Sequence, residues 1–216
     1  MSQPDLTIYH LEGRRCERIV WLCEELELPY ELVFTQGDLR ASMAAVYKVN
    51  PLFPVAPTVS LDGDVLVESG AILELLVDRY APGRLKPAVA SPDYPAYLQW
   101  LHFAEASFAA RTVTEAISAR IRRAAKLPDP EPTGLMTVAK ALGFVNDHLS
   151  RQPYFGGSEF SLADIMMVFP TDLTEWWRVA DVTPYAHLER WRQDMKARPA
   201  YQRMLTVARP AGIPGL

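Results

Sequence analysis

Val55-Ala56-Pro57-Thr58, followed by Asp62-Gly63 and then by Glu68-Ser69-Gly70-Ala71, decides how this chain is read. A proline at the head of an apolar strand removes a ladder donor, so it belongs at an edge or at an irregular strand start. It also forces Ala56 to be extended, and such a bond adopts the cis form where a tight turn needs it. Ala56 would then offer its backbone N–H and C=O outward, ready to pair with a short extended peptide as an added strand. Glu68 and Ser69 stand where a strand gives way to a helix, and the N–H groups at such a start attract a carboxylate. One strip of chain therefore predicts two holding points for a small anionic peptide.

Working outward, residues 58–61 and 65–67 flank Asp62-Gly63, a dipeptide that tolerates the positive φ of a tight hairpin. Residues 70–80 carry Ile72, Leu73, Leu76 and Tyr80 at helical spacing. Upstream, 6–11 is short and rich in strand formers, and 17–28 places Ile19, Val20, Leu22, Cys23 and Leu26 on one helix that Pro29 ends. Residues 30–35 read as a second strand and 39–49 as a helix stopping before Asn50-Pro51. The predicted order is β-α-β-α-β-β-α over an N-terminal domain of 1–83.

Past a linker around 85–92 the strand signals vanish. Tyr94, Tyr97, Leu98, Leu101, Ala104 and Phe108 repeat at helical spacing in one long helix running to about residue 125. The stretch 127–133, with Pro128, Asp129, Pro130 and Glu131, is expected as a loop, and further helices are expected from about Gly134, Ser161, Pro184 and Pro199. An α/β domain followed by an all-helical domain, 91–216, is a specific combination.

The bulk numbers exclude several classes. With 22 basic and 26 acidic residues the net charge is −4, so no nucleic-acid surface is indicated. No apolar run approaches the roughly 20 residues of a membrane span, and Met1-Ser2-Gln3-Pro4-Asp5 lacks the regions of a signal peptide. Cys16 and Cys23 on one helix would lie roughly 10 Å apart, beyond bridging distance. A reducing, cytoplasmic setting is expected. His10, His102, His148 and His187 show no metal-ligand spacing, so no metal is expected.

In its whole-length order of pieces the chain resembles the cytosolic glutathione transferases. The pieces are Leu6-Thr-Ile-Tyr-His-Leu11, the run from Arg18 through Pro29 to Leu32, Asn50-Pro-Leu with Val55-Ala-Pro57, Glu68-Ser-Gly-Ala-Ile72, and Phe160-Ser-Leu-Ala-Asp164. The resemblance implies a thioredoxin-like domain that binds glutathione as co-substrate, and an all-α domain that supplies the pocket for a small hydrophobic electrophile. It also implies a homodimer. Carried over, Ala56 would pair with the cysteinyl backbone of glutathione just before a cis Pro57. Glu68 would take the α-amino group of the γ-glutamyl residue, and Ser69 its carboxylate. The segment 50–57 departs from the family pattern by one added residue, with Phe53-Pro54 in place of a small residue.

The implied reaction is attack by the glutathione sulfur on an electrophilic carbon, which requires the protein to favour the thiolate. Family members use a Tyr at the end of the first strand, or a Ser or Cys at the start of the first helix. Arg14 occupies the position most similar to the Ser-type site, in Glu12-Gly13-Arg14-Arg15-Cys16-Glu17. Three catalytic candidates follow: Tyr9 as a phenol donor, Cys16 as a thiol beside Arg14 and Arg15, and Arg14 itself or nearby backbone N–H groups. Rival readings are thiol–disulfide exchange or reductive cleavage through Cys16, and a non-catalytic binding module. Trp100, Phe103 and Ser107 share a stripe that is expected to face the electrophile, and Trp176-Trp177 is a second aromatic feature. Ser161-Leu-Ala-Asp164 has capping-box spacing, so Asp164 is read as structural and not as an acid catalyst.

Overall fold

The structure, a computed structural model, describes residues 3–128, 136–210 and 212. The strands are β1 (Leu6–Tyr9), β2 (Glu31–Val33), β3 (Thr58–Leu61) and β4 (Asp64–Val67), interleaved with α1 (Glu17–Leu26), α2 (Leu39–Val49) and α3 (Ser69–Tyr80). Downstream run α4 (Tyr94–Phe103), a π-helical stretch (Ala104–Ala109), α5 (Ala110–Ala124), α6 (Val138–Arg151), α7 (Leu162–Trp176), α8 (Ala186–Ala197) and α9 (Pro199–Ala208). Most of the acidic, proline-rich stretch expected as a loop, together with the helix start expected at Gly134, lies outside the described residues. Two compact units are present, one formed by Met1–Ala88 with Met195–Leu216 and the other by Val89–Asp194. The final segment, which the sequence reading assigns to the helical domain, thus groups with the α/β unit.

In the first unit the sheet order is β2-β1-β3-β4, with β1 parallel to β2 and the other pairs antiparallel. With its three helices this is the expected α/β, thioredoxin-like arrangement. Leu6 and Ile8 on β1 and Val59 and Leu61 on β3 are buried, as are Ile19, Leu22 and Cys23 of α1 and Ile72, Leu73 and Leu76 of α3. The hairpin forms where Asp62-Gly63 placed it, both residues taking positive φ (52° and 93°) as a two-residue turn demands. Asp38 starts α2 by accepting the N–H groups of Arg40 and Ala41 at 3.0 and 2.9 Å. Glu27, in the left-handed region, closes α1 two residues before Pro29.

Helix α9 lies along α1. Trp21 meets the Tyr201 ring edge-on at 4.9 Å, and Arg198 and Arg203 reach Glu25 and Glu24 at 2.6 and 2.8 Å. Arg209, just beyond α9, pairs with buried Glu17. At the end of β1, His10 is fully buried, its Nε2–H donating to the Ala208 carbonyl at 2.7 Å and its ring edge-on to Phe34. Burial, only partly offset by that hydrogen bond, lowers its pKa from 6.5 to about 4. The unfolded chain therefore takes up this proton first as pH falls. Stability that is complete above pH 6.5 is lost progressively down to pH 4, by about 3 kcal/mol at most. Urea midpoints measured from pH 7 to pH 4.5 are expected to fall more steeply for the wild type than for His10→Gln, since every other titrating group is common to both proteins.

The second unit is built around α7, whose residues from Leu162 to Thr174 are nearly all buried. Ser161 and Asp164 form the expected capping box at its start. Asp164 does more than cap. Fully buried, it accepts the Phe155 N–H (2.9 Å), the Ser161 N–H (3.0 Å) and the Trp191 indole N–H (2.8 Å). Desolvation raises its pKa to about 6 against the pull of those donors. Trp100 is also fully buried, ringed at 4.7–5.0 Å by His148, Phe103, Phe144 and Phe155. Trp176 meets Phe169 edge-on, and Trp177 is exposed. Among the described residues no helix is long and apolar enough to cross a membrane.

Candidate functional site

The hairpin and α3 position the first cluster. The Ala56–Pro57 peptide is cis, and Pro57 is buried directly before β3. Thr58 Oγ1 donates to the Val55 carbonyl at 2.7 Å, bracing the turn. Ala56 itself is only half-buried, and its backbone N–H and C=O have no hydrogen-bond partner among the described residues. That leaves a residue with unused pairing groups two positions before a sheet strand.

At the other end of the hairpin Glu68 is exposed and held at φ 71°, ψ 101°, a conformation that costs a non-glycine residue about 1–3 kcal/mol. Its carbonyl accepts the Ile72 N–H at 3.0 Å, so the helix begins at once, with no side chain capping it. Ser69, the first residue of α3, is buried, and its Oγ accepts a hydrogen bond from Arg18 Nη1 at 3.0 Å. Arg18 rises from the first turn of α1 and is 3% exposed. A buried guanidinium thus stands behind a hydroxyl at a helix N-terminus, which makes that end doubly favourable for an anion. The exposed Glu68 carboxylate beside it suits a cation. Together they match the two charges of an α-amino acid group.

Arg18 is the residue that sequence reading missed as a site residue. A charged side chain in the first turn of an otherwise apolar helix was the available signal, but its target lies 51 residues away.

The second cluster is the β1–α1 connection. Tyr9 ends β1 opposite Thr58 of β3 and opposite Val33 of β2, is half-buried, and its phenol has no hydrogen-bond partner among the described residues. Register therefore puts Tyr9 two residues along the ladder from Ala56. The loop from Leu11 to Arg14 is wound tight: the Arg14 N–H donates to the Leu11 carbonyl, Gly13 takes φ 68°, and Arg14 Nη1 donates to the Gly13 carbonyl at 3.0 Å. Glu12 anchors it from below, accepting the Gly37 N–H at 2.6 Å.

Cys16 corrects the sequence reading. Arg14 and Arg15 suggested surroundings that favour a thiolate, yet the thiol is fully buried and donates to the Leu11 carbonyl at 3.1 Å. Burial pushes its pKa up to about 12, with the Glu17 charge acting in the same direction. It is a packed, protonated thiol. Cys23 is likewise free and buried, as expected of a core residue.

Of the residues expected to face an electrophile, the structure separates all three. Trp100 is a core residue of the helical unit, which is a second correction: its ring is enclosed on all sides and offers no surface to a ligand. Phe103 is half-buried against Trp100, Phe108 and Phe144. Ser107 alone borders open space, a cavity of about 400 Å³ that it lines with Ala106, Ala110, Arg111, Thr114 and Met136. Among the described residues no group of three or more His, Cys, Asp or Glu side chains is arranged to hold a metal.

Comparison with known proteins places these features in a wider set. Residues 4–78 match the family description "Glutathione S-transferase, N-terminal domain" and residues 121–199 match "Glutathione S-transferase, C-terminal domain". Glutathione S-transferase 3 of Schizosaccharomyces pombe is 32% identical over 209 residues, covering 90% of this chain and 84% of that protein. Glutathione S-transferase D7 of Drosophila melanogaster is 30% identical, covering 94% and 89%. Among solved structures, a glutathione S-transferase from Actinobacillus pleuropneumoniae superposes with a TM-score of 0.78 at 24% identity, covering 96% of this chain and 94% of that one. A glutathione transferase homologue from Lodderomyces elongisporus, solved with two glutathione molecules per subunit, gives 0.71 at 21% identity, covering 94% and 98%.

Proposed function

The chain belongs to the glutathione S-transferase family, and from that premise we propose that it conjugates the glutathione thiolate to small hydrophobic electrophiles. The observation that carries this reading is the Arg18–Ser69 pair at the start of α3 beside the exposed Glu68 carboxylate. In the proposed complex Glu68 takes the ammonium of the γ-glutamyl residue. Ser69 and the first N–H groups of α3 take its carboxylate, with Arg18 holding the Ser69 hydroxyl and adding positive potential. The Ala56 backbone pairs with the cysteinyl residue as a short added strand. Such a pose directs the sulfur toward the end of β1, where Tyr9 and Arg14 are the remaining side chains able to favour a thiolate by hydrogen bonding or charge.

Tyr9→Phe is expected to lower kcat with a chlorodinitrobenzene substrate at least tenfold while the KM for glutathione changes little. Unchanged kcat would transfer the role to Arg14 or to backbone N–H groups. Exchange chemistry through Cys16 is disfavoured by its burial and raised pKa. Mass spectrometry of the native protein after treatment with oxidised glutathione is expected to find no adduct there, and a stoichiometric adduct would reinstate that rival.

We also infer a homodimer in a reducing, cytoplasmic setting. Support comes from Leu52, Phe53, Tyr47 and Met43, an apolar group on and just after α2 in which Leu52 is 95% exposed, and from two cysteines that are both free. Sedimentation velocity tests the assembly: twice the chain mass is expected, and the chain mass alone would refute it.

A further inference from the structure

The π-helical stretch Ala104–Ala109 adds a residue to one helical turn, a device found frequently where a helix meets a ligand. Its inward positions, Ala104, Phe108 and Ala109, are buried, whereas Ala106, Ser107 and Ala110 turn outward and are small. Small side chains there leave the cavity of about 400 Å³ open, a size suited to a single-ring or two-ring molecule. Its wall has two characters. Ala106, Ala110 and the exposed Met136 offer apolar contact, and a thioether adapts readily to an aromatic face. On the same helical face, beside the two alanines, are Arg111, Ser107 and Thr114. Arg111 is half-buried, and its guanidinium makes no ion pair among the described residues. The Ser107 hydroxyl has no hydrogen-bond partner among them either. Thr114 donates its own hydroxyl to the Ala110 carbonyl at 2.8 Å, which leaves its oxygen free to accept.

A half-buried, uncompensated guanidinium beside a free hydroxyl, with small apolar side chains and Met136 lining the same cavity, is complementary to a flat molecule with an acidic end. We propose that this cavity binds aromatic anions, with Arg111 taking the carboxylate or sulfonate and the ring lying against Ala106, Ala110 and Met136. The proposal deepens the conjugation reading and rests on it for turnover, though not for binding. The preferred electrophiles are then aryl halides that carry a carboxylate. In the reaction the sulfur–carbon bond forms, the carbon–halogen bond breaks with its electron pair leaving on halide, and the thiol proton goes to solvent.

Two arms test it on the full chain, using the wild type, Arg111→Gln and Arg111→Lys, with thermal melting as a check on folding. Calorimetry compares nitrobenzoate with nitrobenzamide, neither of which is an electrophile for this reaction. The wild type is expected to prefer the anion at least tenfold, Arg111→Gln to lose that preference, and Arg111→Lys to recover part of it. Kinetics compares chlorodinitrobenzoate with chlorodinitrobenzene as a ratio of kcat/KM, and that ratio is expected to fall at least tenfold in Arg111→Gln. Equal binding of acid and amide by the wild type, or a preference that survives in Arg111→Gln, overturns the proposal while leaving conjugation intact if both halides turn over. A binding preference without turnover of either halide supports the anion site and counts against the conjugation reading. A binding preference without a matching kinetic one supports the site as a place for bound aromatic anions that are not substrates.

Discussion

Asp164→Ala is expected to destabilise the protein by about 4 kcal/mol, a large part of the 5–15 kcal/mol that typically separates folded from unfolded states. The carboxylate is fully buried and is the acceptor for three N–H groups drawn from separate stretches of chain: Ser161 at the helix start, Phe155 in the preceding loop, and Trp191 on α8. Removing it strands all three donors away from water, at about 1–3 kcal/mol apiece, offset by no longer burying a charge. Asp164→Asn keeps an acceptor oxygen but turns an amide N–H toward at least one of these donors, so about half the loss is expected. Denaturant midpoints for the two variants check the order: alanine worse than asparagine, asparagine worse than wild type. A loss under 1 kcal/mol for alanine would mean that the network relaxes onto other acceptors.

Glu68→Ala is expected to weaken glutathione binding roughly thirtyfold, the equivalent of about 2 kcal/mol for losing one charge-assisted hydrogen bond to the ligand's ammonium. Stability is expected to move little, because the Glu68 side chain is exposed and alanine keeps the strained backbone. Glu68→Gly separates the two effects. It relieves the positive φ and also deletes the carboxylate, so it should raise the melting temperature while binding glutathione as poorly as Glu68→Ala. Glutathione KM and thermal melting, measured on the same preparations, read both. Wild-type KM in either variant would remove Glu68 from the site.

How far the chain could be read in advance followed the range of each interaction. The Asp62-Gly63 hairpin, the order of strands and helices in the first unit, and the Ser161–Asp164 cap depend on residues within about four positions of one another, and each formed as read. The two other donors to Asp164 come from nine and 27 residues away, and no local pattern announces them. Cys16 shows the same limit at a candidate site. Its charged neighbours were visible in Arg14-Arg15, whereas the burial that outweighs them was not. Ion pairs between α1 and α9 with its flanking residues join positions more than 170 apart, so nothing in a linear reading attached residues 195–216 to the first unit.

The stripe of Trp100, Phe103 and Ser107 failed for a geometric reason. Spacing of three and four predicts a common face only while the helix keeps 3.6 residues per turn. The π-helical stretch from Ala104 breaks that period between Phe103 and Ser107, so Trp100 faces the core and Ser107 the cavity. The widened turn that misled the periodicity is the same feature that opens the candidate anion site.

The proposed binding mode requires an amino-acid head group held between the Glu68 carboxylate and the Arg18-backed Ser69 hydroxyl. Calorimetric titration of the wild type with glutathione, and with an analogue whose γ-glutamyl amine is replaced by hydrogen, tests this most directly. Binding of glutathione at one site per chain, with the deaminated analogue at least tenfold weaker for the wild type but equal to glutathione for Glu68→Ala, is the predicted result. Equal heats and affinities for the two ligands on the wild type, or no heat from glutathione at millimolar concentration, would contradict it.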